Sequence, residues 1–295
     1  MRINPNPYPD LLNDIALTQQ QINSDEQQIA SGQSVNVPSD NPAAAAILVQ
    51  NADATSRADQ FERSIGSIQG EMQSADSTLN SVISSLQQAI TLGTEGANGT
   101  VNAADRSAIT VQLQGIQSQL VSLANLTYQG SYVFGGTATQ TAPYVLDPTS
   151  TSGVTYQGNS NVNRVTLGNG FTLQTNLPGS QLFSAAGNSM FQSIQDLIND
   201  MESGNNIGTA VTEVGSALNY VDSQRVFYGN ALNQLTAQQT YLSSETTSLA
   251  EQQNTVGGAD LTVVISNLTN SQVSLEATLQ TIGKTAQINL FDYIR

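Results

Sequence analysis

The chain has 295 residues, which is enough for one large or two modest domains, and it contains no Cys, His or Trp. The absence of Cys and His excludes disulfides, a thiolate nucleophile and most zinc or iron–sulfur sites, and it removes the commonest general base. The net charge of −15, with only 8 Lys and Arg residues, disfavours binding to nucleic acid or to an anionic membrane. We therefore expect no enzyme activity, no catalytic residues, no metal and no cofactor.

The N-terminal segment is predicted to form a helix with a narrow apolar stripe, because Ile15, Ile22 and Ile29 recur every seven residues on a polar background. One such stripe buries too little surface for a helix to be stable alone, so it should pack against another segment. The first residues lack the apolar core of a signal peptide, and no apolar run approaches the ~18 residues of a membrane-spanning helix. We therefore expect a chain that is cytosolic or exported without a cleaved signal.

A second helix is predicted to begin at Asn41, which can cap it, with Pro42 at the first helical position. It should continue to about Leu92, before the sequence GTEGANG interrupts it. Another helix should run from about Ala103 to Gln129, and the longest apolar pattern extends from Val211 to Leu249. The apolar spacings alternate between three and four residues, which indicates coiled-coil or bundle packing. The expected core residues are Phe61, Ile65, Ile68, Met72, Leu79, Leu86, Ile109, Leu113, Ile116, Leu120, Leu218, Val221, Tyr228, Leu232, Leu235 and Leu242.

Arg225 falls within the longest apolar pattern and allows two interpretations. Its aliphatic stem could pack in the bundle while its head reaches solvent. Alternatively, it could pair with a carboxylate on a facing helix and fix the register of the two helices.

Residues 131–183 have a different character, with short β-favouring stretches separated by Gly, Pro and Asn. The sequence GNG between Leu167 and Phe171 predicts a hairpin turn. A short helix, SMFQSIQDLINDMES, should follow. Because the β segment interrupts no apolar helical pattern, we expect that residues 146–175 could be deleted without disturbing the helical core.

The C-terminal segment repeats the pattern of the N-terminal one, and both should pair with each other and with a further partner. The residues expected at this assembly or chaperone interface are Ile15, Ile22, Ile29, Leu261, Val264, Leu268, Leu275, Leu279, Ile282, Leu290 and Phe291.

The predicted fold is mainly α with a small β insert, arranged as an elongated, nested rod of coiled coils and helical bundles. Residues 1–38 and 256–295 should form a terminal coiled-coil domain. Residues 39–130 and 187–255 should form the bundle, and residues 131–186 an outer β-rich domain.

Three stretches resemble bacterial flagellins and their hook-associated relatives. Their N-terminal motif is similar to the stretch from Gln28 to Leu48, QIASGQSVNVPSDNPAAAAIL. The entry to the outer domain of hook-associated members is similar to the stretch from Gln129 to Tyr144, QGSYVFGGTATQTAPY. The tail, which ends in LFDYIR, resembles their C-terminal helix.

The resemblance implies a structural, flagellin-like subunit that forms the junction layer between hook and filament and is needed for motility. Its partners would be copies of itself, a hook-associated protein on the hook side, flagellin on the filament side and a cytoplasmic export chaperone at the C-terminal helix. It would reach the flagellum, outside the cell, through the flagellar type III apparatus. Two alternatives remain open: flagellin itself, and a coiled-coil tip or translocator protein of a virulence secretion system, which should lack the paired end motifs.

Overall fold

The computed structural model describes residues 8–168 and 170–293, with side chains described for residues 9–168 and 170–284. The fold is mainly α, about 70% helical, with small antiparallel sheets, as the sequence predicts. The helices are α1 Tyr8–Ser31, α2 Pro42–Gly96, α3 Ala103–Ala124, α4 Gly179–Leu182, α5 Met190–Ser203, α6 Ile207–Gly257 and α7 Leu261–Tyr293. The strands are β1 Thr127–Tyr128, β2 Ser131–Tyr132, β3 Tyr144–Leu146, β4 Val154–Tyr156, β5 Arg164–Leu167 and β6 Phe171–Gln174.

The chain divides into two compact units. The terminal unit contains the residues up to Arg57 and from Ser244 onward, and the central unit is Ala58–Ser243. The division into three domains drawn from the sequence, with its boundaries at residues 38, 130, 186 and 255, remains a prediction.

Polar side chains mark several helix starts. The side-chain oxygen of Asn41 accepts a hydrogen bond from the N–H of Ala44 at 3.1 Å, which agrees with the predicted cap of α2. Asn102 caps α3 in the same way, at 2.9 Å from the N–H of Asp105. The third helix ends at Ala124, several residues before the predicted Gln129, because the chain turns there into the β1–β2 hairpin.

The core of the central unit contains the predicted apolar residues of α2, α3 and α6. Thirteen of the sixteen are buried, whereas Phe61, Leu218 and Leu232 are partly buried and pack against the core. On α6, the small residues Ala210, Ala217 and Ala231 are also buried. The side of α6 that faces the core therefore includes alanines adjacent to the leucines that the sequence pattern favours.

The β strands form three separate two-stranded antiparallel sheets: β1–β2, β3–β4 and β5–β6. The predicted hairpin at GNG is confirmed, since Leu167 and Phe171 are paired in β5 and β6. The aromatic ring of Tyr144 on β3 lies 4.8 Å from that of Phe191 on α5 and 5.9 Å from that of Phe183, measured between centroids. These strands are thus held by helices as well as by one another.

The β segment shares one apolar core with the helices. Leu167 is fully buried and Leu173 nearly so, and both belong to the same buried cluster as the helical residues. The turn residue Gly168 approaches Leu242 of α6 and Phe61 of α2 so closely that a Cβ on it would lie 3.7 Å from each. This shared burial argues against the expectation that residues 146–175 can be removed without disturbing the helical core, and that expectation remains a prediction.

Candidate assembly surface

Helices α1 and α7 pack against each other in antiparallel orientation. At one end, the N–H of Ala259 donates to the carbonyl of Gly32 at 3.0 Å, and the N–H of Ser34 donates to the carbonyl of Gly257 at 2.7 Å. Farther along, Leu17 and Ser274 line the same shallow groove. The predicted pairing of the N-terminal segment with the C-terminal one is therefore present within the terminal unit.

Most of the apolar residues expected at the interface lie on the side where the two helices meet. Ile22 and Val264 are buried. The others on this side are partly buried: Ile15, Ile29, Leu268, Leu275 and Ile282. Each helix thus uses one narrow apolar stripe, with spacings of mostly seven residues, to contact its partner. The side chains of Leu290 and Phe291 lie outside the described residues.

Three apolar residues form the exposed edge of the same apolar face of α7, and we call Leu261, Ile265 and Leu279 the outer stripe. Their exposed fractions are 45%, 51% and 51%. Leu261 and Leu279 are separated by about five full turns and therefore lie on the same side of the helix, and Ile265 is one turn from Leu261. Leu12 and Leu17 of α1 are also exposed. Exposed apolar patches of this kind mark contact surfaces in soluble proteins.

Asp25 is a buried acidic residue on α1 that the sequence pattern did not indicate. It is 2% exposed, on the same side of the helix as Ile22. The amide of Gln21 donates to one of its carboxylate oxygens at 2.9 Å, whereas the other oxygen has no hydrogen-bond partner among the described residues. A buried oxygen without a partner is unfavourable, so this position weakens the pairing of the two helices.

The segment that links α1 to α2 is ordered by one carboxylate. Asp40 accepts hydrogen bonds from the N–H groups of Asn36 and Val37, both at 2.9 Å. The Ser34 hydroxyl also donates to the carbonyl of Gly257, at 3.2 Å. These bonds fix the link to the end of α6 within the terminal unit.

Arg225 in the central unit forms the second of the two predicted arrangements. Its Nε and Nη2 donate to the two carboxylate oxygens of Asp76 on α2, at 2.9 and 3.1 Å. Its Nη1 donates to the side chain of Asn80 at 3.4 Å. The guanidinium group therefore joins α6 to α2 through a bidentate ion pair, a geometry that fixes the register of the two helices.

Within the described residues, no helix combines the length and the apolar character that crossing a membrane requires. The same residues contain no group of three or more acidic side chains that could hold a metal ion.

Comparison with known proteins finds similarity to bacterial flagellar proteins. A model of the bacterial flagellin N-terminal helical region matches residues 6–139, which include the first of the three stretches singled out in the sequence and most of the second. Two curated relatives, both named flagellar hook-associated protein 3, come from Escherichia coli (strain K12) and Salmonella typhimurium and are 32% and 33% identical over 119 residues. This chain is therefore similar to flagellar hook-associated protein 3 over part of its length. The match spans 40% of this chain and 38% of each relative.

Three solved structures of flagellar proteins have a similar fold. A putative flagellar hook-associated protein from Vibrio parahaemolyticus is 25% identical, with a TM-score of 0.58, and the alignment covers 75% of this chain and 97% of that one. FlgL from Bacillus cereus is 22% identical, with a TM-score of 0.57, over 68% of this chain and 96% of that one. The flagellar junction protein FlgL from Legionella pneumophila is 15% identical, with a TM-score of 0.54, over 61% of this chain and 95% of that one.

Proposed function

We propose that this protein is a structural subunit of the bacterial flagellum, where it forms the layer that joins the hook to the filament. The observation that carries the proposal is the match to two relatives named flagellar hook-associated protein 3, together with the flagellin-type N-terminal region. Flagellin itself is the alternative, and the names of these relatives favour the junction role over it. The role requires assembly and no catalysis.

The terminal unit supplies the surface for this assembly. In the described residues of α7, the side next to α1 is covered, whereas the outer stripe of Leu261, Ile265 and Leu279 is exposed. Complete burial of a fully exposed apolar side chain of this size is worth about 1.5–3 kcal/mol, and these half-exposed side chains would gain about half of that each, so three of them on one helix favour association. We propose that copies of the same chain cover this stripe in a ring, with a hook-associated protein on one side and flagellin on the other.

Before assembly, the same stripe is available to a cytoplasmic export chaperone. An amphipathic helix with an exposed apolar side fits a hydrophobic groove, which is a common mode of helix recognition. The protein would then leave the cell through the flagellar type III export apparatus. Pull-down of the full chain with the chaperone, before and after Leu279→Gln, tests this part of the proposal, and equal binding by both proteins would contradict it.

The function is tested by adding the purified protein to isolated hooks that carry the hook-side hook-associated protein, and then adding flagellin. We expect the protein to bind as a short cap and to allow filament growth, which electron microscopy would show. If the protein forms long filaments without added flagellin, it is itself a flagellin and the alternative function is correct. If it fails to bind the hooks, the junction role is wrong.

A matched pair of variants tests the outer stripe. Leu279→Gln should reduce binding to hooks without changing the folding of the monomer, because Leu279 is already exposed. Val273→Gln is the control, since Val273 is 62% exposed but lies about 120° around α7 from Leu261. Equal loss of binding in both variants would show that the stripe has no special role.

A further inference from the structure

The loop between α2 and α3 contains an exposed Asn–Gly pair, Asn98 and Gly99. The side-chain oxygen of Asn98 accepts hydrogen bonds from the N–H and the hydroxyl of Thr100, at 3.4 and 3.2 Å. Within the described part of the chain, neither the side-chain nitrogen of Asn98 nor the N–H of Gly99 donates a hydrogen bond. Apart from Gly99 and its two chain neighbours, no atom of the described residues lies within 4 Å of the position that a Cβ on Gly99 would take.

From this geometry we propose that Asn98 is a site of spontaneous deamidation through a cyclic imide. The backbone nitrogen of Gly99 loses its proton to hydroxide and forms a bond to Cγ of Asn98. The bond from Cγ to the side-chain nitrogen then breaks, and the nitrogen leaves as ammonia after taking a proton from water. Water adds to either carbonyl of the resulting ring and opens it, which gives aspartate or isoaspartate. The net reaction consumes one water, releases one ammonia and needs no oxidant or cofactor.

Each part of the site favours this reaction. Gly99 has no side chain to obstruct the approach of its own nitrogen, and that nitrogen is not held by a hydrogen bond. The N–H and the hydroxyl of Thr100 polarise the side-chain carbonyl of Asn98 and stabilise the negative charge that develops on its oxygen. The leaving nitrogen of Asn98 is in contact with solvent, so ammonia can depart.

The other asparagines of the central unit that the structure describes lack this combination. The side-chain nitrogen of Asn125 donates to the carbonyl of Tyr144 at 2.7 Å, and that of Asn159 donates to the Thr137 hydroxyl at 2.9 Å. Both are followed by residues with side chains. The sequence contains one other Asn–Gly pair, at residues 169 and 170, whose Asn lies outside the described residues.

The reaction would change the loop. Aspartate at position 98 places a negative charge beside Glu95 at the C-terminal end of α2, where the helix dipole disfavours anions. Isoaspartate also lengthens the backbone by one atom. That change would disrupt the bonds from the N–H of Asn98 to the carbonyl of Glu95, at 3.1 Å, and from the N–H of Val101 to the carbonyl of Asn98, at 3.0 Å.

The test follows the full-length protein over time at neutral and mildly alkaline pH, in water enriched in heavy oxygen. Trypsin releases residues 64–106 and 165–225 as separate peptides, so the two Asn–Gly pairs can be distinguished by mass spectrometry. We expect residue 98 to take up one heavy oxygen atom, to yield both aspartate and isoaspartate, and to react faster at higher pH. If residue 98 stays intact while position 169 reacts, the proposal is wrong.

Gly99→Ala is a matched variant, because a Cβ has open space there and the φ angle of Gly99 lies outside the left-handed region. Its methyl group should slow the reaction at residue 98 by at least about tenfold, which corresponds to about 1.4 kcal/mol on the activation barrier. Thr100→Val removes only the hydroxyl donor and should slow the reaction by a smaller factor. Equal rates in the parent protein and in Gly99→Ala would overturn the proposed route.

Discussion

Arg225 illustrates how one charged residue can occupy an apolar helical pattern. Its stem lies along α6 while its guanidinium group reaches both oxygens of Asp76 on α2. The side chains of the two residues are 27% and 34% exposed, so neither charge is fully removed from water. The hydrogen bonds to Asp76 also raise the pKa of Arg225. The pair therefore favours one register of α2 against α6 at little desolvation cost.

Removal of this pair should have a modest effect on stability. Arg225→Met keeps most of the stem and removes the charge, and we expect it to lower the free energy of unfolding by about 1 kcal/mol, because partly exposed pairs contribute little more than that. Asp76→Asn should lower the free energy of unfolding by a similar amount. The double variant should lose less stability than the sum of the losses in the two single variants. Urea unfolding of the three variants gives the coupling energy, and a coupling near zero would contradict the assignment.

A second ion pair provides the control. Arg57 and Asp53 are one turn apart on α2 at 2.9 Å, and both side chains are 64% exposed. Asp53→Asn should change the free energy of unfolding by less than about 0.5 kcal/mol, as is usual for such pairs on one helix.

Glu71 on α2 should make stability depend on pH, because burial raises the pKa of its carboxyl above the ordinary value of 4.5. A raised pKa means that the folded protein binds the proton more tightly than the unfolded chain, so the ionised form at neutral pH is destabilising. This contribution to stability should increase as the pH falls from 7 through the folded pKa, and should become constant below 4.5.

Glu71→Gln tests this expectation, since its amide is neutral at every pH. The variant should be more stable than the parent protein at neutral pH, and the difference should shrink as the pH approaches 4.5. Glu213→Gln, on the exposed surface of α6, serves as the reference. Unfolding curves at several pH values measure the stability of each variant relative to the parent protein. If the difference for Glu71→Gln does not depend on pH, the raised pKa of Glu71 is not its cause.

Among the elements, the long helices were largely predictable because their apolar spacing repeats over many turns. The residues buried on α2, such as Ile65, Met72 and Leu79, follow that spacing directly. The buried face of α6 was predicted less well. Alanine is compatible with any side of a helix, so the pattern favoured Leu218 and Leu232 over the more deeply buried Ala217 and Ala231. Which of these residues is buried depends on how closely the neighbouring helices approach α6, and the sequence pattern does not show that distance.

The packing of the β segment could not be deduced from its sequence. Alternation along a short strand shows which side chains share a face, but it does not show what covers that face. Here the buried side of β5 and β6 joins the helical core through Leu167 and Leu173. Asn125 adds a long-range contact, because its side-chain amide exchanges two hydrogen bonds with the backbone of Tyr144, at 2.7 and 2.9 Å. No local pattern indicates this bond.

Leu167→Ala should therefore destabilise the central unit as strongly as a helical core substitution. Leu167 is fully buried, and truncation of such a leucine costs about 2–5 kcal/mol. Val145→Ala on β3 is the comparison, since Val145 is 41% exposed and should have little effect. Thermal unfolding would measure both. If Leu167→Ala leaves the melting temperature unchanged, the β segment does not contribute to the common core.

At the scale of the whole molecule, the two units differ in how much they bury. The central unit has a continuous apolar cluster that includes helices and strands. In the described part of the terminal unit, the contact between α1 and α7 depends on one narrow stripe from each helix, with Ile22 and Val264 buried and the carboxylate of Asp25 among them. Helices held by a single stripe have low local stability in water.

The free monomer and the assembled protein should therefore differ most in the terminal helices. We expect the backbone amides of residues 8–32 and 257–284 to exchange with solvent much faster in the monomer than those of α3 and α5, because local opening exposes little apolar surface. Assembly onto hooks should protect the terminal amides, since neighbouring copies would cover the outer stripe of Leu261, Ile265 and Leu279. Hydrogen exchange with mass spectrometry, on a monomer verified by sedimentation and on the hook-bound protein, measures the change. If the terminal helices of the free monomer are protected as strongly as α3, they form a stable structure by themselves, and the assembly surface must lie elsewhere.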